Sequence, residues 1–173
     1  MGWKALNRRE KQVGPGDGPV LTEGLRGRIA EFRRQYPTNQ SALLPTLLAV
    51  QEEAGYVSER AVEEVAAALE LAPATVMDTL SFYSHLWRGP KGRHVVMVCR
   101  GLSCEVCGGE DLLGELKRKL KIGEHETTAD GRFTLITEEC MGACEKAPYM
   151  LVDGDGYGPV RKDELDGILS RYA

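Results

Sequence analysis

The first 98 residues of this 173-residue chain contain no cysteine, and no part of the chain has a long apolar run. The most apolar stretch, residues 42–50, includes Pro45 and is far shorter than the roughly 20 residues that a membrane-spanning helix needs. The residues near Met1 also lack the apolar core of about 7–15 residues that marks a secretory signal. We therefore expect a soluble intracellular chain with no direct membrane insertion.

Positive charge is scarce as well, since 22 Lys and Arg stand against 26 Asp and Glu, a net charge of −4. A chain with this balance is not expected to bind nucleic acid, because affinity for phosphates comes from Lys and Arg. The basic residues concentrate near the start, where residues 1–35 hold 8 basic and 4 acidic side chains. Residues 1–20 contain four Gly and two Pro without apolar periodicity, which predicts a flexible basic arm at 1–21.

Residues 22–88 show the apolar spacing of amphipathic helices and are predicted to form a helical bundle. Ser58 is a suitable N-cap for the third helix, and Pro73 is suited to the first turn of the fourth. Pro45 is compatible with the second helix only in its first turn. The predicted helices span 23–36 and 41–54, with two more beginning after Ser58 and at Pro73.

The pattern changes after the linker glycines and proline at 89–92, where β-branched and alternating segments begin. The order of elements predicts an α/β domain at 89–173 with a mixed four-stranded sheet, so the whole chain is of the α+β class. Asp-Gly pairs predict a hairpin with its turn at 153–156. The predicted strands are 94–99, 133–137, 149–152 and 157–160, and the predicted helices are 110–122 and 163–172.

All five cysteines fall within a window of 46 residues: Cys99, Cys104, Cys107, Cys140 and Cys144. An odd, clustered set without a secretory signal argues against a disulfide framework and favours metal binding or redox chemistry. Burial as small apolar side chains would suit scattered cysteines, but it does not explain two close pairs. Each pair, C-x4-C and C-x3-C, spans a loop that follows a predicted strand and contains glycine.

Four thiolates suit a [2Fe–2S] cluster and also suit tetrahedral zinc, although zinc sites favour shorter and stiffer spacings. One ligand set is Cys99, Cys104, Cys140 and Cys144, which leaves Cys107 out. A rival set replaces Cys144 by Cys107, in the C-x4-C-x2-C…C spacing of plant-type ferredoxins. Cys107 is followed directly by two glycines and a long amphipathic helix, a context that favours the first set. A thiol-redox pair at Cys104 and Cys107 would leave the other three cysteines without a role.

Several blocks of the chain together resemble one protein family, over about residues 22–173. They are ALLP at 42–45, VQEEAGY at 50–56, SFY at 81–83, C-x4-C at 99–104, GRFT at 131–134 and CMGAC-x2-AP at 140–148. The family is that of the E subunit of NADH-quinone oxidoreductase, respiratory complex I. It includes the diaphorase subunits of NAD-linked formate dehydrogenases and hydrogenases.

The resemblance implies a helical bundle joined to a thioredoxin-like domain that carries one [2Fe–2S] cluster. Its ligand positions correspond to Cys99, Cys104, Cys140 and Cys144, and Cys107 is not among them. The chain would then be an electron-transfer subunit of an NADH-oxidising oxidoreductase, without a complete active site or catalytic residue of its own. Such a subunit is cytoplasmic, or peripheral on the cytoplasmic or matrix face of an energy-transducing membrane.

No second cofactor motif is visible, because the sequence has neither G-x-G-x-x-G at a strand–helix junction nor a Walker pattern. The resemblance implies that a flavoprotein subunit supplies FMN, the NAD site and a [4Fe–4S] cluster, alongside further iron–sulfur subunits. A chain of another class, a zinc-stabilised or thiol-redox interaction protein, is the alternative that the cysteines alone leave open.

Overall fold

The computed structural model describes residues 19–172, which form two compact units, 19–90 and 91–172. Most of the predicted arm at 1–21 therefore lies outside the described residues. At its end, the backbone N–H groups of Val20 and Leu21 donate to the Glu64 carboxylate at 3.0 and 2.9 Å. Leu21 is buried in the core of the first unit.

The first unit contains four helices, as the apolar spacing predicted. They are α1 (Glu23–Gln35), α2 (Leu43–Ala54), α3 (Glu59–Leu69) and α4 (Pro73–Phe82). Ser58 caps α3 by accepting from Ala61 N–H at 3.2 Å, and Pro73 is the first residue of α4. Helix α2 begins two residues later than predicted, which puts Pro45 in its first turn, where it breaks no helical hydrogen bond.

The second unit is a mixed five-stranded sheet with helices packed on it. Its strands are β1 (His94–Cys99), β2 (Glu126–Thr127), β3 (Phe133–Glu138), β4 (Met150–Val152) and β5 (Asp155–Tyr157), in the order β2-β3-β1-β4-β5. Its helices are α5 (Leu102–Val106), α6 (Gly109–Leu120) and α7 (Leu165–Leu169). Only the central pair, β1 and β3, is parallel.

The core of this unit joins the sheet to α6 and α7. Leu112 and Leu116 of α6 and Leu165 of α7 are at most 1% exposed, in one apolar cluster with Val96 and other side chains of the strands. The short 3-10 segments Lys162–Glu164 and Ser170–Tyr172 flank α7. The closing helix is therefore shorter and less regular than the continuous helix predicted at 163–172.

Three predictions about the sheet need correction. A fifth strand, β2, was missed because its two residues are both exposed and show no alternation. The hairpin turn is the two-residue Asp153-Gly154, with φ of 53° and 94°, and not the predicted segment 153–156. The Val152–Asp155 pairing places Asp155 in β5, which ends at Tyr157 rather than at 160.

Candidate functional site

The two cysteine loops start at the same edge of the sheet because they follow the two parallel strands. Cys99, the last residue of β1, is in register with Glu138, the last residue of β3. The ladder continues for one more hydrogen bond, from Arg100 N–H to Glu138 O at 2.8 Å. Cys140 therefore comes two residues after the point where the strands separate. The parallel pairing brings together cysteines that are about 40 residues apart in sequence.

The first loop is anchored in the core. Its glycine, Gly101, donates its N–H to Cys99 Sγ at 3.4 Å, and the chain then turns into the short helix α5. Cys99 and Cys104 are 5% and 2% exposed. The backbone of Tyr149 contacts both, since its carbonyl accepts from Cys99 N–H at 3.1 Å and a backbone hydrogen bond reaches the Cys104 thiol. Sequence reasoning missed both Tyr149 and α5.

The second loop has the same glycine-to-cysteine hydrogen bond as the first loop, but its cysteines are not buried. Gly142, with φ +69°, donates its N–H to Cys140 Sγ at 3.4 Å, as Gly101 does to Cys99. Cys140 and Cys144 are both exposed. A 3-10 turn over Cys144–Lys146 and a cis peptide between Ala147 and Pro148 lead from this loop into β4.

The two loops touch at Gly101. A Cβ at this position would lie 3.0 Å from Glu139 O, 3.5 Å from Cys99 Sγ and 3.8 Å from Cys140 Cα. Only glycine permits this approach without a shift of the neighbouring backbone.

The thiols of Cys104 and Cys144, one from each loop, also interact electrostatically. The pKa of the Cys104 thiol is raised to about 11, chiefly by burial and then by its hydrogen bond with Cys99, and Cys144 adds a smaller repulsion. Cys107, in contrast, is exposed at the end of α5, and its backbone N–H donates to Ser103 O at 3.1 Å. The structure thus places the two predicted pairs next to each other.

The residue types of the two loops fit a [2Fe–2S] cluster. Such a cluster takes four cysteine thiolates, two for each iron, and the two adjacent loops contain two cysteines each. Among the described residues, no group of three or more His, Cys, Asp or Glu side chains is arranged to hold a metal ion. Glycine N–H groups already directed at Cys99 and Cys140 are the hydrogen bonds to sulfur that such clusters use.

Comparison with known proteins agrees with this geometry. The family model described as thioredoxin-like [2Fe–2S] ferredoxin matches residues 29–173. The chain belongs to this family. Its fold class, α+β with a thioredoxin-like domain, is thereby confirmed, and the family's description names the predicted cofactor, a [2Fe–2S] cluster.

Relatives with assigned names support the resemblance predicted from the sequence blocks. The E subunit of the NADH-quinone oxidoreductase of Pseudomonas aeruginosa is 37% identical over 88% of this chain and 92% of its own length. The subunit of the same name from Escherichia coli is 32% identical over 88% of this chain and 92% of its own length. The resemblance is therefore confirmed over most of the sequence.

A solved structure of a larger protein is also similar. A chain of an NAD+-reducing [NiFe]-hydrogenase in the H2-reduced state matches 74% of this ferredoxin-family chain with 25% identity and a TM-score of 0.62. The match covers 22% of that hydrogenase chain, so this protein spans about a fifth of its length.

Among residues 19–172, no helix combines the length and apolar character needed to cross a bilayer.

Proposed function

We propose that this protein is an electron-transfer subunit that carries one [2Fe–2S] cluster on Cys99, Cys104, Cys140 and Cys144. The observation that supports this ligand set is the side-by-side start of the two cysteine loops at the ends of β1 and β3. When bound, the cluster supplies storage for a single electron.

The chain's own groups have separate tasks in this proposal. The four thiolates hold the iron, and the N–H groups of Gly101 and Gly142 stabilise negative charge on sulfur. The buried Cys99 and Cys104 fix one side of the site. The exposed Cys140 and Cys144 leave the other side accessible to a redox partner.

That partner is an NADH-oxidising flavoprotein subunit, whose flavin exchanges single electrons with this protein. This sequence has no dinucleotide-binding fingerprint, so FMN and NAD are assigned to the partner, together with a [4Fe–4S] cluster. The assembly we favour is NADH-quinone oxidoreductase, because relatives of that name cover about nine-tenths of this chain. Within it, the protein is peripheral on the cytoplasmic or matrix face of the membrane, next to other iron–sulfur subunits.

A second candidate assembly is an NAD-linked hydrogenase or formate dehydrogenase, in which this protein is a diaphorase subunit. The similarity to a chain of an NAD+-reducing hydrogenase supports it. Isolation of the intact assembly from native cells distinguishes the two, because the co-purifying subunits differ. Recovery without any flavoprotein would contradict the proposed partner.

The cofactor is tested on the purified protein. We expect a brown protein with about two iron and two sulfide per chain, and an electron paramagnetic signal only after reduction. A colourless protein with one tightly bound zinc would contradict the proposal and favour the zinc-stabilised or thiol-redox alternative.

A further inference from the structure

Glu124 lies between two cations beside the first cysteine loop. Its Oε1 accepts from Lys117 Nζ at 2.6 Å, and its Oε2 lies 3.8 Å from a guanidinium nitrogen of Arg100. Thr137 Oγ1 donates to Oε2 at 3.0 Å. The side chain of Glu124 is 27% exposed and that of Arg100 is 53% exposed. One carboxylate is thus shared by two positive charges at the edge of the sheet.

These residues are attached to both cysteine loops. Arg100 follows Cys99 directly, and Thr137 comes three residues before Cys140. Lys117 projects from α6, and together with Arg100 and Glu124 it borders a cavity of about 140 Å³ that also contacts Glu105 and Glu110. Any movement of charge in this network occurs close to the proposed ligands.

Glu124 is charged at neutral pH. Hydrogen bonds from Lys117 and then Thr137 lower the pKa of its carboxyl group, and Arg100 adds a smaller attraction. Reduction of a [2Fe–2S] cluster adds one negative charge, so fixed charges nearby change the potential at which reduction occurs. Such charges act strongly at partly buried positions, where the effective dielectric constant is about 20 rather than 80.

We propose that Arg100 and Glu124 are an opposed charge pair that sets the reduction potential of the cluster. This inference rests on the proposed function. The Arg100 guanidinium favours the reduced state, and the Glu124 carboxylate offsets it. Neither residue is a ligand, and their balance determines how readily the site accepts an electron.

The test measures the midpoint potential of the full-length, cluster-loaded protein by redox titration monitored by electron paramagnetic resonance. Glu124→Gln keeps the size of the side chain but removes its charge. We expect this variant to favour reduction by about three- to tenfold, where tenfold corresponds to about 59 mV for one electron. Arg100→Gln should shift the potential in the opposite direction, and the double variant should fall between the two single variants.

Glu115→Gln is the matched control. Glu115 is on the same helix as Lys117 and pairs with Arg118 and Lys119. Among the described residues, no hydrogen bond or ion pair joins it to Arg100, Lys117 or the cysteine loops. It should leave the potential unchanged. A shift equal to that of Glu124→Gln would overturn the inference, because it would show a general effect of net charge.

The outcomes separate this inference from the function on which it rests. Wild-type protein without iron would overturn both. Iron-loaded wild-type protein with an unmoved potential in Glu124→Gln and Arg100→Gln would overturn this inference alone. If Glu124→Gln does not fold, Arg100→Gln still tests the inference, because Arg100 is half-exposed and its substitution should not prevent folding. A lowered potential in that variant is the supporting result.

Discussion

Cys99 is the last residue of β1, Cys140 lies two residues after β3, and each accepts an N–H from the glycine two residues later. Beyond this shared start, the two loops differ. The first continues into α5 and buries both its cysteines, whereas the second forms a 3-10 turn and leaves both cysteines exposed. The two buried cysteines therefore tie the first loop to the domain core, whereas we expect the second loop to be restrained mainly by the proposed cluster.

The difference between the loops also divides the work of building the site. Buried cysteines behave as small apolar side chains, so Cys99 and Cys104 contribute to packing even without iron. Cys140 and Cys144 contribute little burial, and their proposed role is ligation. Perturbing one loop should therefore have effects that perturbing the other does not.

The largest effect is expected from Cys144→Ser. Because Cys144 is exposed, the substitution should leave the domain folded, which far-ultraviolet circular dichroism checks. Loss of one thiolate from a four-cysteine site should remove the cluster or strongly alter its spectrum. Iron and sulfide analysis with the paramagnetic signal of the reduced protein measures the result.

Cys107→Ser is the control for this prediction, because Cys107 is also exposed but lies outside the proposed ligand set. It should keep about two iron per chain. The reverse outcome, an intact cluster in Cys144→Ser and a lost one in Cys107→Ser, would establish the plant-type set instead.

The next effect concerns alkylation of the iron-free protein at mildly alkaline pH. The pKa of Cys104 is raised to about 11 from an ordinary value of 9.0, which leaves it with about a hundredth of the thiolate of an ordinary cysteine. Burial slows it further. Mass spectrometry after iodoacetamide treatment should show Cys140 and Cys144 modified well before Cys104.

The same shift predicts how the stability of the iron-free domain changes with pH. The folded state keeps the Cys104 proton that the unfolded state releases near its ordinary pKa of 9.0. The stability that the Cys104 proton contributes is therefore complete below pH 9 and is lost as the pH rises towards 11.

For the alkylation experiment, modification of Cys104 at the rate of Cys140 at pH 8 would contradict the division between the loops.

The sequence predicted most of the framework that positions these loops. Strand β1 has the predicted bounds, Ser58 caps α3, and Pro73 is the first residue of α4. Each cysteine loop begins at or just after the end of a predicted strand. These features depend on local chemistry such as caps, proline and β-branched runs. The missed strand β2 is paired through backbone contacts with β3 and has no side-chain pattern to reveal it.

The site was less predictable because its contacts are not local. The spacing of the cysteines suggested two pairs, but not that one pair is buried and the other exposed. Helix α5 has only five residues, too few to show a period. The contact of Gly101 with Cys140 and that of Glu124 with Arg100 join segments about 40 and 24 residues apart, and only the fold brings them together.

A smaller effect, about tenfold, is expected in proteolysis of the second loop. Removing iron should raise the rate at which a glutamate-specific protease cuts after Glu139 and Glu145. Without the cluster, the free energy needed to open this loop locally should fall by about 1.4 kcal/mol or more. Glu105 in α5 is also exposed and serves as the internal control, with little change expected. Equal acceleration at Glu105 would show that the first loop depends on the cluster just as much.

Effects of similar size are expected from adding one methyl group to each loop. In Gly101→Ala the new Cβ would meet Glu139 O at 3.0 Å, which should force the loops apart and cost about 1–3 kcal/mol. Gly142→Ala meets no atom within 4 Å but strains a residue at φ +69°, which costs about 1–2 kcal/mol locally. Because the second loop can rearrange without disturbing the core, less of this cost should appear in the free energy of unfolding of the domain.

Hydrogen exchange of the β1 and β3 amides measures this free energy of unfolding. Gly114→Ala, in the open face of α6, is the control and is expected to stabilise the domain by about 0.4–1 kcal/mol. A larger loss in Gly142→Ala than in Gly101→Ala would mean that the exposed loop, and not the buried one, is coupled to the core.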